Sequence, residues 1–107
     1  MITVVSFGFR NGAPIADRMF DCRGIINPHN VRKLRDLTGL DKPVQDFVKD
    51  SSVAKTMLAM AVELAKPNQT IAFGCFGGRH RSVVMAEWVA ETLRKKGHEV
   101  QVKHRDL

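Results

Sequence analysis

The chain has 107 residues, 44% hydrophobic and 26% charged, and 17 Lys and Arg against 11 Asp and Glu give it a net charge of +6. That length suits one domain, residues 1–107, with one modest core, and the composition excludes a disordered or low-complexity chain. No apolar run approaches the ~20 residues of a membrane span, and Met1-Ile2-Thr3-Val4-Val5 lacks the basic flank of a signal peptide, so a cytoplasmic protein with no membrane partner is expected.

Residues 2–9 read as a buried strand, rich in β-branched and aromatic side chains. Asn11-Gly12-Ala13-Pro14 is a turn, and Met19–Arg23 is a second short strand whose Asp21 and Arg23 either line a cleft or pair with each other. Asn27-Pro28-His29 follows as a loop, because the residue before a proline avoids helix. Residues 31–41 mix Arg32, Lys33 and Arg35 with Leu34, Leu37 and Leu40, which suggests a partly helical connection facing a ligand.

Helical spacing resumes at Pro43, with Val44, Phe47 and Val48 on one face. Ser51-Ser52 caps a second helix, in which Val53, Met57, Met60 and Leu64, backed by Ala54, Leu58, Ala61 and Ala65, are expected to form core. A strand is expected over 70–74. A helix follows over about 81–96, burying Val83, Ala86, Ala90 and Leu93 and ending at Gly97, and Val100 and Val102 mark a last strand. Strand, helix and strand over 70–103 imply a right-handed parallel βαβ unit. The economical architecture is therefore α/β, a four-stranded, mainly parallel sheet flanked by helices.

The chemistry concentrates where the strand over 70–74 meets the following helix. Gly74, Gly77 and Gly78 let the backbone curl so that its N–H groups approach a ligand, and the helix start near Arg81-Ser82 aims its positive end at the same point. Arg81 can fork two hydrogen bonds onto an oxyanion, while Arg79 and His80 add charge and donors. The loop reads as a cradle for a small anion, most simply phosphate. Its glycine spacing and the missing Lys exclude a Walker A site. Ligands of parallel sheets collect at the carboxyl ends of strands, which would bring Arg10, Asn27, His29 and Asp41 near this loop.

The spacing Cys75-x-x-Gly78-x-x-Arg81-Ser82 also fits a cysteine-dependent phosphatase, with Cys75 as nucleophile, Arg81 as clamp and Asp41 or Asp21 as general acid. Against it, Gly74 stands where such phosphatases usually carry His. Two cysteines, Cys22 and Cys75, are too few for a disulfide framework or a zinc site, so neither metal nor cofactor is expected. Arg94-Lys95-Lys96 suits either a helix C-terminus or a phosphate-contacting face. Tyr is absent and aromatics are sparse, so a stacking platform for single strands is poorly supported.

Gly74-Cys75-x-Gly77-Gly78-x-His80-Arg81-Ser82-Val83 resembles the hallmark loop of the C-terminal domain of RapZ-type RNase adapter proteins. Ser6–Gly12, Asp21-Cys22-Arg23, Asn27-Pro28-His29, Leu34–Asp41 and His104-Arg105-Asp106-Leu107 resemble that domain too, in order, over nearly the whole chain. The resemblance implies a regulatory rather than catalytic domain, with a pocket for glucosamine-6-phosphate or a similar anion formed by His29, Cys75, Phe76, Gly77, Gly78, His80, Arg81 and Ser82. It implies a basic surface for a small regulatory RNA at Lys95, Lys96, Lys103 and Arg105, an endoribonuclease as partner, and is compatible with a homo-oligomer. Family members carry an N-terminal P-loop NTPase domain, whereas this sequence opens on its first strand, so a stand-alone domain without ATP or GTP binding is expected. Phe76 stands where the family commonly has Thr, which removes a hydroxyl from the pocket. His104 is expected at the surface.

Overall fold

The computed structural model describes residues 1–107. Four strands, β1 (Ile2–Gly8), β2 (Arg18–Asp21), β3 (Thr70–Cys75) and β4 (Val100–His104), form one sheet in the order β2-β3-β1-β4, with every pairing parallel. Three α-helices, α1 (Lys42–Lys49), α2 (Ser52–Leu64) and α3 (Arg81–Lys95), are joined by loops containing four short 3₁₀ turns. The α/β architecture expected from the pattern is present, and the sheet is wholly parallel.

β1 alternates in its first half, where Ile2 and Val4 are buried and Thr3 and Val5 half-buried, and is buried on both faces from Ser6 to Gly8. The core lies on the face of Ile2 and Val4, where Ile71 and Phe73 of β3 meet Val84, Met85, Val89 and Leu93 of α3. α3 is the central helix, packed against β1, β3 and β4 on one side and against α1 and α2 on the other. Its first half is therefore buried nearly all round, from Arg81 to Ala86.

α2 corrects the expected core face. Ala54 and Ala61 are fully buried and Met57, Leu58, Val62 and Ala65 partly so, whereas Val53, Met60 and Leu64 are largely exposed. Alanine at the contact lets two helix backbones approach closely, and that closeness turns the bulkier neighbours outward. Ser51 caps α2 as read, its Oγ accepting from the Ala54 amide at 3.4 Å.

His104 is also placed differently from the surface expectation, with its side chain only 14% exposed. Its Nδ1 lies 2.6 Å from the buried Ser6 Oγ, and its Nε2 lies 2.7 Å from Glu87 Oε1 on α3. This chain of polar contacts pins β4 between β1 and the central helix. Because all four strands run the same way, their carboxyl ends, and the loops beginning at Phe9, Cys22, Phe76 and Arg105, share one edge of the sheet.

Candidate functional site

A cavity of about 450 Å³ opens at that edge. One wall is the loop from Cys75 to Arg81, and the other comes from Asn27, His29 and Arg35, with Arg10 from the loop after β1. Among its lining residues, Arg10, Arg35, Arg79 and Arg81 are cationic and none is acidic. A concave site with one sign of charge concentrates the opposite sign.

Close backbone packing builds the loop. Gly78 has φ +77°, and a Cβ there would fall 2.7 Å from the Gly8 amide nitrogen. Asp106 Oδ2 accepts from the same Gly8 amide at 2.7 Å, so the C-terminal residues brace the turn. Gly74 answers to packing rather than to a ligand: a Cβ would meet the Phe7 ring at 2.4 Å. Gly77 alone among the three has open space beside it, and it faces the cavity.

α3 begins at the loop without a side-chain cap, since His80 occupies the capping position and makes no capping bond. Its first amides and the positive end of its dipole are left for an anion. Arg81 is 7% exposed, and its Nη1 donates to the carbonyls of Arg23 and Ile25, each at 3.0 Å. The guanidinium thus ties down the segment that leads into the opposite wall, and Arg81 also lines the cavity.

His80 differs from its reading as a charged donor. Its Nε2 lies 2.6 Å from the Leu37 carbonyl, which can only accept, so the ring proton is committed there. Burial, reinforced by the charge of Arg79, holds its pKa below the ordinary value. His80 is therefore a neutral strut. Gly39 adds a second tie, its amide donating to the Arg79 carbonyl at 2.9 Å.

Cys75 is buried, and its Sγ lies 3.1 Å from Ser82 Oγ, itself fully buried. Cys22 follows Asp21, which pairs with Gly74, and burial pushes its thiol well up. The acids proposed for catalysis are elsewhere. Asp41 does not line the cavity, and its Oδ2 accepts from the Thr38 amide at 2.8 Å. Asp21 pairs with Arg23 at 2.8 Å, and that hydrogen bond holds its carboxyl below its ordinary range. No group of three or more His, Cys, Asp or Glu is placed to hold a metal ion, and no helix is long and apolar enough to cross a membrane.

The residues read as an RNA surface divide. Lys95 and Lys96 lie at the far end of α3, about 20 Å along the helix from Arg81, and Lys95 pairs with Glu91 at 3.1 Å. Lys103 is exposed on the edge strand β4. Arg105 is engaged within the fold, donating to the Gly12 carbonyl at 2.6 Å and pairing with Asp106 at 2.8 Å. Arg35 is the cavity residue that sequence reasoning left unassigned; its place in the connection read as ligand-facing was the available signal. Its Nε donates to the His29 carbonyl at 2.6 Å, which fixes the second wall.

The family model described as the RapZ C-terminal domain matches residues 1–107. The chain belongs to this family. It is 46% identical over 114 residues to an RNase adapter protein RapZ of Hamiltonella defensa, covering 95% of this chain and 40% of that protein. Proteins named nucleotide-binding protein from Thermobifida fusca and Desulforudis audaxviator are 47% and 42% identical, over 97% and 99% of this chain and 40% of each relative. The chain thus spans about two fifths of the length of the curated relatives it matches.

Proposed function

We propose that this chain is a regulatory domain that holds a phosphorylated small molecule, a sugar phosphate of the glucosamine-6-phosphate kind, in the cavity between the Cys75–Arg81 loop and the His29–Arg35 wall. The observation that carries this reading is the uncapped start of α3 opening into a cavity lined by four arginines and no carboxylate. Amides, dipole and guanidinium groups converge there on one anion. A basic surface that includes Lys95, Lys96 and Lys103 contacts a small regulatory RNA destined for an endoribonuclease. The similarity to the RNase adapter protein of Hamiltonella supports that part.

Hydrolysis at Cys75 is the weaker reading, because neither Asp21 nor Asp41 faces the cavity to protonate a leaving group. A thermal-shift titration with glucosamine-6-phosphate, glucose-6-phosphate, phosphate and sulfate tests the anion site. Ligand at a hundred times its Kd should add about 2.7 kcal/mol to folding stability. A saturable shift that Arg79→Ala abolishes is expected, since the Arg79 side chain is exposed and its loss leaves the core untouched. No shift with any of the four would overturn the site.

A further inference from the structure

The cavity holds more than an anion needs. Its volume, about 450 Å³, lies within the ~300–1,000 Å³ of sites that enclose whole small molecules. Phe76 stands at its rim, 60% exposed, and apart from Cys75 it is the only apolar lining residue. A large apolar side chain held in water beside a cationic cradle is costly unless something covers it. The Arg10 guanidinium lies over one face of the ring, 5.7 Å from its centroid. Arg10 is exposed, so a flat group on the ligand can take its place over the ring and leave its charge to the phosphate.

We infer that the cavity also takes a nucleoside 5′-monophosphate unit, with the phosphate on the Gly77–Arg81 turn and the base stacked on Phe76. This rests on the phosphate cradle proposed above and goes beyond the sugar phosphate by adding a base to it. Phe76 is the residue immediately before the turn, so its ring and the phosphate amides belong to one rigid segment. Asn27 lines the same cavity, and its Oδ1 is held by the His29 amide at 3.0 Å, which leaves its amide nitrogen to donate to a base edge. A free nucleotide and the 5′-phosphorylated end of an RNA strand share this chemistry.

Calorimetric titration of the full chain with adenosine 5′-monophosphate and ribose 5-phosphate, which differ only in the base, reads the stacking alone. The nucleotide should bind about tenfold more tightly, the size expected of one base on one aromatic ring. Phe76→Leu should bring the ratio close to one and Phe76→Trp should restore it, and the ratio stays informative even where either substitution changes both affinities. Equal affinities in the parent, or a ratio that survives in Phe76→Leu, overturn the inference while the phosphate cradle stands. Failure of both compounds and of inorganic phosphate to bind overturns the cradle as well. A 5′-phosphorylated tetra-adenylate that binds at least as tightly as the mononucleotide, and better than its 5′-hydroxyl form, assigns the site to an RNA end. Exclusion of the tetramer assigns it to the free nucleotide.

Discussion

The two walls of the cavity are held by different means. The Cys75–Arg81 wall is an extension of β3 wedged against Gly8 and braced by Asp106, where an atom added at Gly78 has nowhere to go. The Asn27–Arg35 wall is a run of short 3₁₀ turns with mostly exposed side chains, and it is tied down at both ends, by Arg81 reaching the carbonyls of Arg23 and Ile25 just before it and by His80 reaching that of Leu37 just after it. Packing fixes the first wall and polar struts fix the second. Side chains that look like ligand donors in the sequence are therefore partly consumed in assembling the pocket.

The largest effect should come from breaking the packed wall. Gly78→Ala combines a left-handed backbone with a Cβ 2.7 Å from the Gly8 amide, and should cost roughly 3 kcal/mol or more in a denaturant melt. A change within experimental error would mean that the loop is loosely packed against Gly8. Arg81→Lys tests the struts: the charge stays, but one ammonium cannot hold both carbonyls and still face the ligand. About 2 kcal/mol of stability should be lost, along with phosphate affinity. Retention of both would contradict the bridging role.

A smaller effect separates His80 from the charged donors. Its folded-state pKa lies below the ordinary 6.5, so on acidification the unfolded chain takes up the proton first. The stability tied to neutral His80 is full above about 6.5, falls as pH drops through that value, and levels off below the folded-state pKa. His80→Gln keeps an amide donor for Leu37 and should flatten that slope relative to the parent; an unchanged slope would assign it to another group. Gly77→Ala should be nearly silent in stability, within about 0.5 kcal/mol, because its methyl meets open space. It should still weaken phosphate binding by intruding on the cavity, and unaltered affinity would move the anion elsewhere.

Much of this was legible in the residues. β-branched and aromatic strand segments, the strand–helix–strand spacing over 70–103 and Gly97 after the last helix pointed to the sheet, since each is a local pattern with a local cause. The glycine-rich turn into the last helix was legible for the same reason: glycines, cations and a helix start are contiguous from Gly74 to Ser82. What stayed hidden depends on partners distant in sequence. Nothing near Arg81 announces the carbonyls of Arg23 and Ile25, 58 and 56 residues away. Likewise, hydrophobicity alone cannot tell that α2 presents Ala54 and Ala61 to α3 while Met60 turns outward, because the deciding factor is how closely two helices approach.

Backbone amide chemical-shift mapping tests the central claim most directly, with glucosamine-6-phosphate titrated into the chain at low ionic strength. Saturable shifts should concentrate at Gly77, Gly78, Arg79, Arg81 and Ser82, extend across the cavity to His29 and Arg35, and leave Lys95 and Lys96 unmoved. Shifts gathered at the far end of α3, or no saturable shift anywhere, would contradict a phosphate site at the uncapped start of that helix.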